Sequence, residues 1–268
     1  MTKNVIFIDI DGTLTNKLGK IPNTAIDAIN IARRNGHKIF LCTGRSKIEC
    51  SPILDKVSVD GIVGNGGSYV EVNNKIIHDV SFSVTEVKKV TSYLDSKNVS
   101  FYLSSEKAIY SNKILKRKIK KIKFLIPKRY KEKFREFPPI DELSKEKIYK
   151  VNFINHKIPY VDILNDLYGD YSISPSTIAA LGKNSGELMP PHTSKAQGIE
   201  KAIQELNIQK KHTIGIGNGI NDISLFQGVE TKVAVEDAAA ELKEKADIIT
   251  DRPMKNGIYN AFRLMNLI

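Results

Sequence analysis

Apolar residues come along this chain in short runs, and the runs end in similar places. The segment over residues 4–9 reads as a buried strand, and it stops at two acidic residues, Asp9 and Asp11, followed by Gly12. Side chains alternate along a strand, so the two carboxylates would leave the same side if the chain stayed extended. The run KIFLCTGR (38–45) repeats the pattern of apolar strand and polar end, as do DGIVGNGG (60–67) and HTIGIGNG (212–219). Between the first two runs, Ala25, Ile29 and Ala32 recur at helical spacing over 22–36, with Pro22 at the start and Gly36 at the end. Apolar strands separated by helices predict a parallel sheet covered by helices on its faces. SYVEVNNKIIHDV predicts a hairpin that turns at Asn73-Asn74.

Residues 82–183 break this rhythm with several prolines, a basic segment and mixed helix and strand signals. It then resumes: a helix over about 194–207, the strand at 212–219, a helix, TKVAV (231–235), a helix from Ala238, ADIIT (246–250) and a last helix from Gly257. The expected fold is α/β, a Rossmann-like parallel-sheet core made of residues 1–81 and 184–268, interrupted by an inserted α+β domain at 82–183.

Composition adds a few bounds. A chain of 268 residues with 41% hydrophobic and 26% charged residues fits a globular protein. No apolar run approaches the roughly 20 residues that span a bilayer. The N-terminal stretch carries an acidic residue inside its apolar run and no small-residue cleavage site, so no signal peptide is expected. With only Cys42 and Cys50, and no metal-like cluster of cysteines, a reducing cytoplasm is the expected setting. The net charge is +11, yet twelve of the 41 basic residues and one of the 30 acidic ones fall in 113–135, which leaves 29 of each sign elsewhere.

Sites in open parallel sheets form beyond the carboxyl ends of the strands. The loops there hold Asp9, Asp11, Gly12 and Thr13; Thr43, Gly44 and Arg45; Asn65 among glycines; and Asn218, Asn221 and Asp222. Lys195 opens the helix before the fourth strand. Carboxylates, a hydroxyl, a lysine and exposed backbone N–H groups suit a phosphate held beside a hard, oxygen-ligated cation such as Mg²⁺.

In order and spacing, FIDIDGTL, CTGR, SKAQG and GNGINDISLF resemble the four motifs of the haloacid dehalogenase superfamily of phosphatases. The long insertion between the second and third is similar to the large cap of the Cof-type branch. The resemblance implies that Asp9 attacks phosphorus and forms an aspartyl-phosphate, and that Asp11 acts as general acid and then base, helped by neighbouring carboxylates that raise its pKa. It implies Thr43 and Lys195 on the phosphoryl group, with Gly12, Gly44, Asn65 and Asn221 at the substrate. Mg²⁺ would sit among Asp9, the Asp11 carbonyl and the fourth motif, Asn218 and Asp222. The cap would close over the site and choose a small phosphorylated metabolite, a sugar phosphate or a phosphorylated cofactor. One residue departs from the pattern: Asn218 stands where the family usually has an Asp that ligates the metal. That removes a formal charge and leaves open a second reading, a catalytically weak protein that binds a phosphorylated ligand.

Blander readings accompany each feature. Asp-Gly is a common turn, Thr43 competes as a helix cap because a helix should begin near Ser46, Asn65 also suits a Gly-rich turn, and Arg45 reads as structural or solvent-facing. Leu115, Ile119, Ile122 and Ile126 recur at helical spacing, which makes the lysines of 113–135 a solvated helix face; the competing role is attraction of anionic substrates. The segment lacks the interleaved aromatics of a nucleic-acid site, so no nucleic-acid partner is expected. Cys42 lacks the arginine that a thiol-phosphatase loop needs six residues on, where Ile48 stands. A phosphotransfer receiver shares Asp, Thr and Lys but needs only about 120 residues.

Overall fold

A computed structural model of the chain describes residues 3–16, 18–105, 108–121, 134–136, 146–167, 169–176 and 181–268. In chain order the first part comprises β1 (Val5–Ile8), α1 (Asn23–Arg34), β2 (Lys38–Cys42), α2 (Lys47–Leu54), β3 (Gly61–Gly64), β4 (Tyr69–Val72) and β5 (Lys75–Asp79). An inserted part follows: α3 (Val84–Ser96), β6 (Ser100–Ser105), β7 (Ile109–Ser111), α4 (Lys113–Lys121), β8 (Phe134–Glu136), β9 (Ile148–Ile154), α5 (Tyr160–Leu167), β10 (Ser172–Pro175) and β11 (Gly186–Met189). The chain then adds α6 (Lys195–Glu205), β12 (Thr213–Gly217), α7 (Ile223–Gly228), β13 (Thr231–Val235), α8 (Ala240–Lys243), β14 (Ile248–Thr250) and α9 (Gly257–Leu264).

The chain divides into two compact units, Met1–Asp79 with Thr193–Ile268, and Val80–His192. The second is longer than the 82–183 expected from the sequence. The reason is β11, which pairs antiparallel with β9 and β10 and so belongs to the inserted sheet.

The first unit holds an eight-stranded sheet in the order β14-β13-β12-β1-β2-β3-β4-β5. It is parallel from β14 to β3, and the β4–β5 hairpin continues it antiparallel. Asn73 and Asn74 both take positive φ, 48° and 65°, which a two-residue hairpin of the primed type requires and Asn tolerates. Alternation along the central strands feeds two cores. Ile6, Ile8, Ile39 and Leu41 pack with Ala25, Ile29 and Ala32 of α1 and Ile258 and Phe262 of α9. Val5, Phe7, Phe40 and Cys42 pack with Ile199 and Ala202 of α6 and Leu225 and Phe226 of α7. Burying a side chain such as Ile29 or Phe7 completely contributes about 1.5–3 kcal/mol, so the helices are held by these faces more than by their propensity. Odd-numbered residues of β1 face the α6 side, and that parity decides where Asp9 goes.

The second unit has a six-stranded sheet, β10-β11-β9-β6-β7-β8, antiparallel except for the β7–β8 pair. Val87, Val90 and Leu94 of α3 and Ile163 and Leu167 of α5 pack on Phe101, Leu103, Val151 and Phe153. Of the basic segment, α4 bears out a helix from Lys113, with Leu115 buried; Ile122 and Ile126 lie outside the described residues. Among the described residues no helix is long and apolar enough to cross a membrane.

Candidate active site

Strand β1 ends one residue before Asp9, whose N–H still donates to the Ile216 carbonyl of β12 at 2.9 Å. The strand's parity therefore carries the Asp9 side chain to the α6 face, where it is buried with only 5% exposed. Helix α6 begins at Lys195, N-capped by the Ser194 hydroxyl, which accepts from the Gln197 N–H. The Lys195 ammonium is 3% exposed and donates to Asp9 Oδ1 at 2.7 Å and to Asp222 Oδ1 at 2.6 Å. One cation thus ties the ends of β1 and β12 together. Gly67 lets α6 come this close: its φ is +110°, and a Cβ there would overlap the Ser194 carbonyl.

Two buried carboxylates around one ammonium set the electrostatics. Burial, and then the charge of Asp222, push the Asp9 carboxyl from 3.8 up to about 7, against the pull of Lys195. Lys195 itself is held firmly protonated, because the charges of Asp222 and Asp9 together outweigh its burial. Burial also pushes the Cys42 thiol up, which removes it as a thiolate nucleophile.

Asp222 is fully buried and both its oxygens are engaged. Oδ1 accepts from Lys195, and Oδ2 accepts from the backbone N–H groups of Asn218 and Gly219, each at 2.9 Å. Asp222 thus clasps the loop after β12 and fixes Lys195. Asn218 lies against the first loop, its Oδ1 accepting from the Thr13 hydroxyl at 3.2 Å. Gly12 has φ +89°, and a Cβ there would overlap the Asn218 amide, so the turn after Asp11 and the fourth loop fit only with glycine.

Asp11 departs from what alternation predicts. The chain turns at Ile10, which is buried in the α1-side core, and the Asp11 carboxylate emerges 61% exposed. There it meets the Arg45 guanidinium side-on, Oδ2 to Nε at 2.8 Å and Oδ1 to Nη2 at 2.5 Å. Its bonded neighbour is thus a cation, and Arg45 has a site contact that its motif position did not suggest. The cap of α2 is Ser46, in a capping box with Glu49, so Thr43 is not used there. Thr43 is buried at the end of β2, where its hydroxyl accepts the Arg45 N–H at 3.1 Å. Gly44 makes the bend between them.

Asn65 is buried with φ +50°, its N–H donating to the Arg45 carbonyl, and its Oδ1 has no partner among the described residues. An unpaired acceptor suits a donor such as a hydroxyl. Asn221 lies in a short 3₁₀ turn, folded back on Gly219. Among the described residues no group of three or more His, Cys, Asp or Glu is placed to hold a metal. The Asp9 carboxylate, the Asn218 amide oxygen and the Asp11 carbonyl are nevertheless hard oxygen donors of the type Mg²⁺ takes, with less negative charge than a site containing a second acid.

A family model described as haloacid dehalogenase-like hydrolase matches residues 6–262. The chain belongs to this family. Among its relatives, the 5-amino-6-(5-phospho-D-ribitylamino)uracil phosphatase YwtE of Bacillus subtilis is 25% identical over 272 residues, covering 94% of each chain. The solved subclass IIB sugar phosphatase BT4131 superposes with a TM-score of 0.79 at 25% identity over 100% of both chains. The phosphatase BT1666 of Bacteroides thetaiotaomicron has the same fold, with a TM-score of 0.85 at 19% identity over 99% of this chain and 96% of its own. As a haloacid dehalogenase-like hydrolase with such relatives, the protein is a phosphatase. The resemblance read from four short motifs thus extends over nearly the whole chain.

Proposed function

We propose that this phosphatase hydrolyses small phosphorylated metabolites with Mg²⁺ as cofactor, through a phosphoryl group carried on Asp9. The observation that carries the reading is the buried Lys195 ammonium held between Asp9 and Asp222. It fixes the direction of the Asp9 carboxylate and offers positive charge where phosphoryl oxygens would lie. In the first displacement Asp9 attacks phosphorus, the ester P–O bond breaks, and the leaving oxygen takes a proton from Asp11. In the second, water attacks phosphorus, its proton goes to Asp11, and Asp9 is released. Thr43 donates its hydroxyl to a phosphoryl oxygen. When bound by Asp9, Asn218 and the Asp11 carbonyl, Mg²⁺ supplies charge that favours the ionised nucleophile and offsets phosphoryl charge. Arg45 holds the Asp11 side chain in the same loop cluster, through Nε and the second guanidinium nitrogen.

Relatives that act on a phosphoribityl compound and on a sugar phosphate support a phosphorylated sugar, polyol or cofactor as substrate. Among the site residues, Asn65 offers an unpaired acceptor of the kind a substrate hydroxyl would fill. The test is phosphate release from a panel of such esters with and without Mg²⁺, using the native chain, Asp9→Asn and Asn218→Asp. Mg²⁺-dependent turnover that Asp9→Asn abolishes is expected. An inert native chain that Asn218→Asp activates would instead favour the ligand-binding reading, and full turnover by Asp9→Asn would overturn the proposal.

A further inference from the structure

Four Asn-Gly pairs occur along the chain, at 35–36, 65–66, 218–219 and 256–257. The nitrogen of the residue after an asparagine can attack the side-chain Cγ, and glycine, with no Cβ, leaves that nitrogen most open. The reaction then depends on what takes the nitrogen's proton and what polarises the side-chain amide. At three of the pairs the glycine N–H donates to a main-chain carbonyl: Gly36 to Arg33 at 3.0 Å, Gly66 to Thr43 at 3.0 Å and Gly257 to Arg252 at 3.2 Å. A carbonyl is no base at neutral pH, so those protons have nowhere to go.

Asn218-Gly219, in the loop after β12, differs on both counts. The Gly219 N–H donates to a carboxylate oxygen, Asp222 Oδ2, at 2.9 Å. Asn218 Oδ1 accepts from the Thr13 hydroxyl at 3.2 Å. A base therefore sits on the attacking nitrogen and a donor on the carbonyl under attack, the two groups that acyl transfer needs. Asn256 also has a hydroxyl on its Oδ1, from Thr24 at 2.8 Å, but the Gly257 N–H meets only a carbonyl. Asn218 and Gly219 are half-buried, which leaves them open to water.

We propose that Asn218 is encoded as an amide and converts itself to aspartate within the folded loop. The Gly219 nitrogen bonds to Asn218 Cγ, and its proton passes to Asp222 Oδ2. The Cγ–NH2 bond breaks, and the departing group takes that proton and leaves as ammonia. Water opens the five-membered imide ring: its hydroxyl goes to Cγ, the bond from Cγ to the Gly219 nitrogen breaks, and its proton returns to that nitrogen. The Asn218 main-chain carbonyl accepts the Ala239 N–H at 2.9 Å. Opening at Cγ keeps this main chain in place, so the product is ordinary aspartate and not isoaspartate. The new carboxylate adds a negative charge that a hard cation favours over an amide. That last consequence rests on the place given to Asn218 at Mg²⁺ under the proposed function; the conversion does not.

The test ages the full chain at neutral pH and reads conversion of amide to acid at each Asn-Gly pair by peptide mass spectrometry. In the folded chain Asn218 should convert about a hundredfold faster than Asn35, Asn65 and Asn256, the low end of what a positioned base supplies. In urea the four should convert alike. Thr13→Val keeps the side chain's shape and loses its hydroxyl; folded, it should convert about a hundredfold more slowly at Asn218, and in urea at the native rate. Gly219→Ala, whose φ of −103° suits any residue and whose Cβ meets the tip of the Asn221 side chain, should show no conversion over the same interval. Calorimetry should find Mg²⁺ bound about tenfold more tightly by the converted chain than by the fresh one. Asn218 intact in the folded chain, or no faster than the other three, or isoaspartate as the main product, or native-rate conversion in folded Thr13→Val, would each overturn the proposal. Conversion without tighter Mg²⁺ binding would uphold it and overturn the place given to Asn218 at the metal.

Discussion

Asp9→Asn should make the metal-free protein more stable at slightly alkaline pH while abolishing its chemistry. The buried carboxyl of Asp9 has its pKa raised from 3.8 to about 7, so between those values the folded state holds a proton that the unfolded state has lost. The stabilisation due to this proton is complete below the unfolded value and disappears as pH rises through about 7. A carboxyl moved from 3.8 to about 7 in the folded state contributes on the order of 4 kcal/mol, at roughly 1.4 kcal/mol for each tenfold change in the proton equilibrium. The Asn side chain keeps an acceptor for Lys195 and has nothing to ionise. In chelator, the stability of Asp9→Asn relative to native should therefore grow by about 2–4 kcal/mol between about pH 4 and pH 8. Paired urea titrations across that range measure it, and groups titrating in both proteins cancel. Added Mg²⁺ should recover native stability at the alkaline end and do little for Asp9→Asn, because a ligand stabilises only the state that binds it. Parallel pH profiles for the two proteins, or a variant that falls behind as pH rises, would refute the electrostatic account of the site.

Other consequences are smaller in scope. Lys195→Met leaves Asp9 and Asp222 buried without their shared cation, so urea unfolding should show a loss of about 3–5 kcal/mol; a loss below about 1 kcal/mol would mean the pair does not need it. Gly12→Ala forces a side chain into φ +89° and into the Asn218 amide, and should cost about 1–2 kcal/mol together with the Mg²⁺-induced rise in Tm. Arg45→Ala removes a largely exposed pair and should change stability by less than about 1 kcal/mol. If Arg45 orients Asp11, its turnover should nevertheless fall more for alkyl phosphates, whose leaving oxygen needs a proton, than for nitrophenyl phosphate; equal losses would assign Arg45 a merely structural role.

The succession of strands and helices along the core was legible because its strands are short, mostly apolar runs with polar ends, and α1 is marked by Pro22, by its Ala25, Ile29 and Ala32 face and by Gly36. The loops that carry chemistry were found the same way, since they follow strand ends. What could not be read was the partner of each side chain. Asp9 and Asp11 looked equivalent by alternation, but β1 ends at Ile8 and the turn at Ile10 sends one carboxylate inward and the other out to Arg45. The Thr13–Asn218 contact joins positions 205 apart and depends on the pairing of β1 with β12. That Asp222 clasps its own loop, with Lys195 and two backbone N–H groups around it, could not be read from its residue type. The inserted unit ran past its expected end because β11 is a short strand whose membership is fixed by pairing with β9, which no local pattern announces.

The most direct test of the central claim is to quench the reaction in acid and weigh the peptide that contains Asp9. With nitrophenyl phosphate, whose leaving oxygen needs no proton, Asp11→Asn keeps the first displacement but lacks the base for the second, and should accumulate the intermediate. The account predicts a peptide heavier by one phosphoryl group, labile to hydroxylamine and absent from Asp9→Asn. Turnover with no phosphorylated Asp9 peptide in either the native chain or Asp11→Asn, or the label found on another residue, would contradict it.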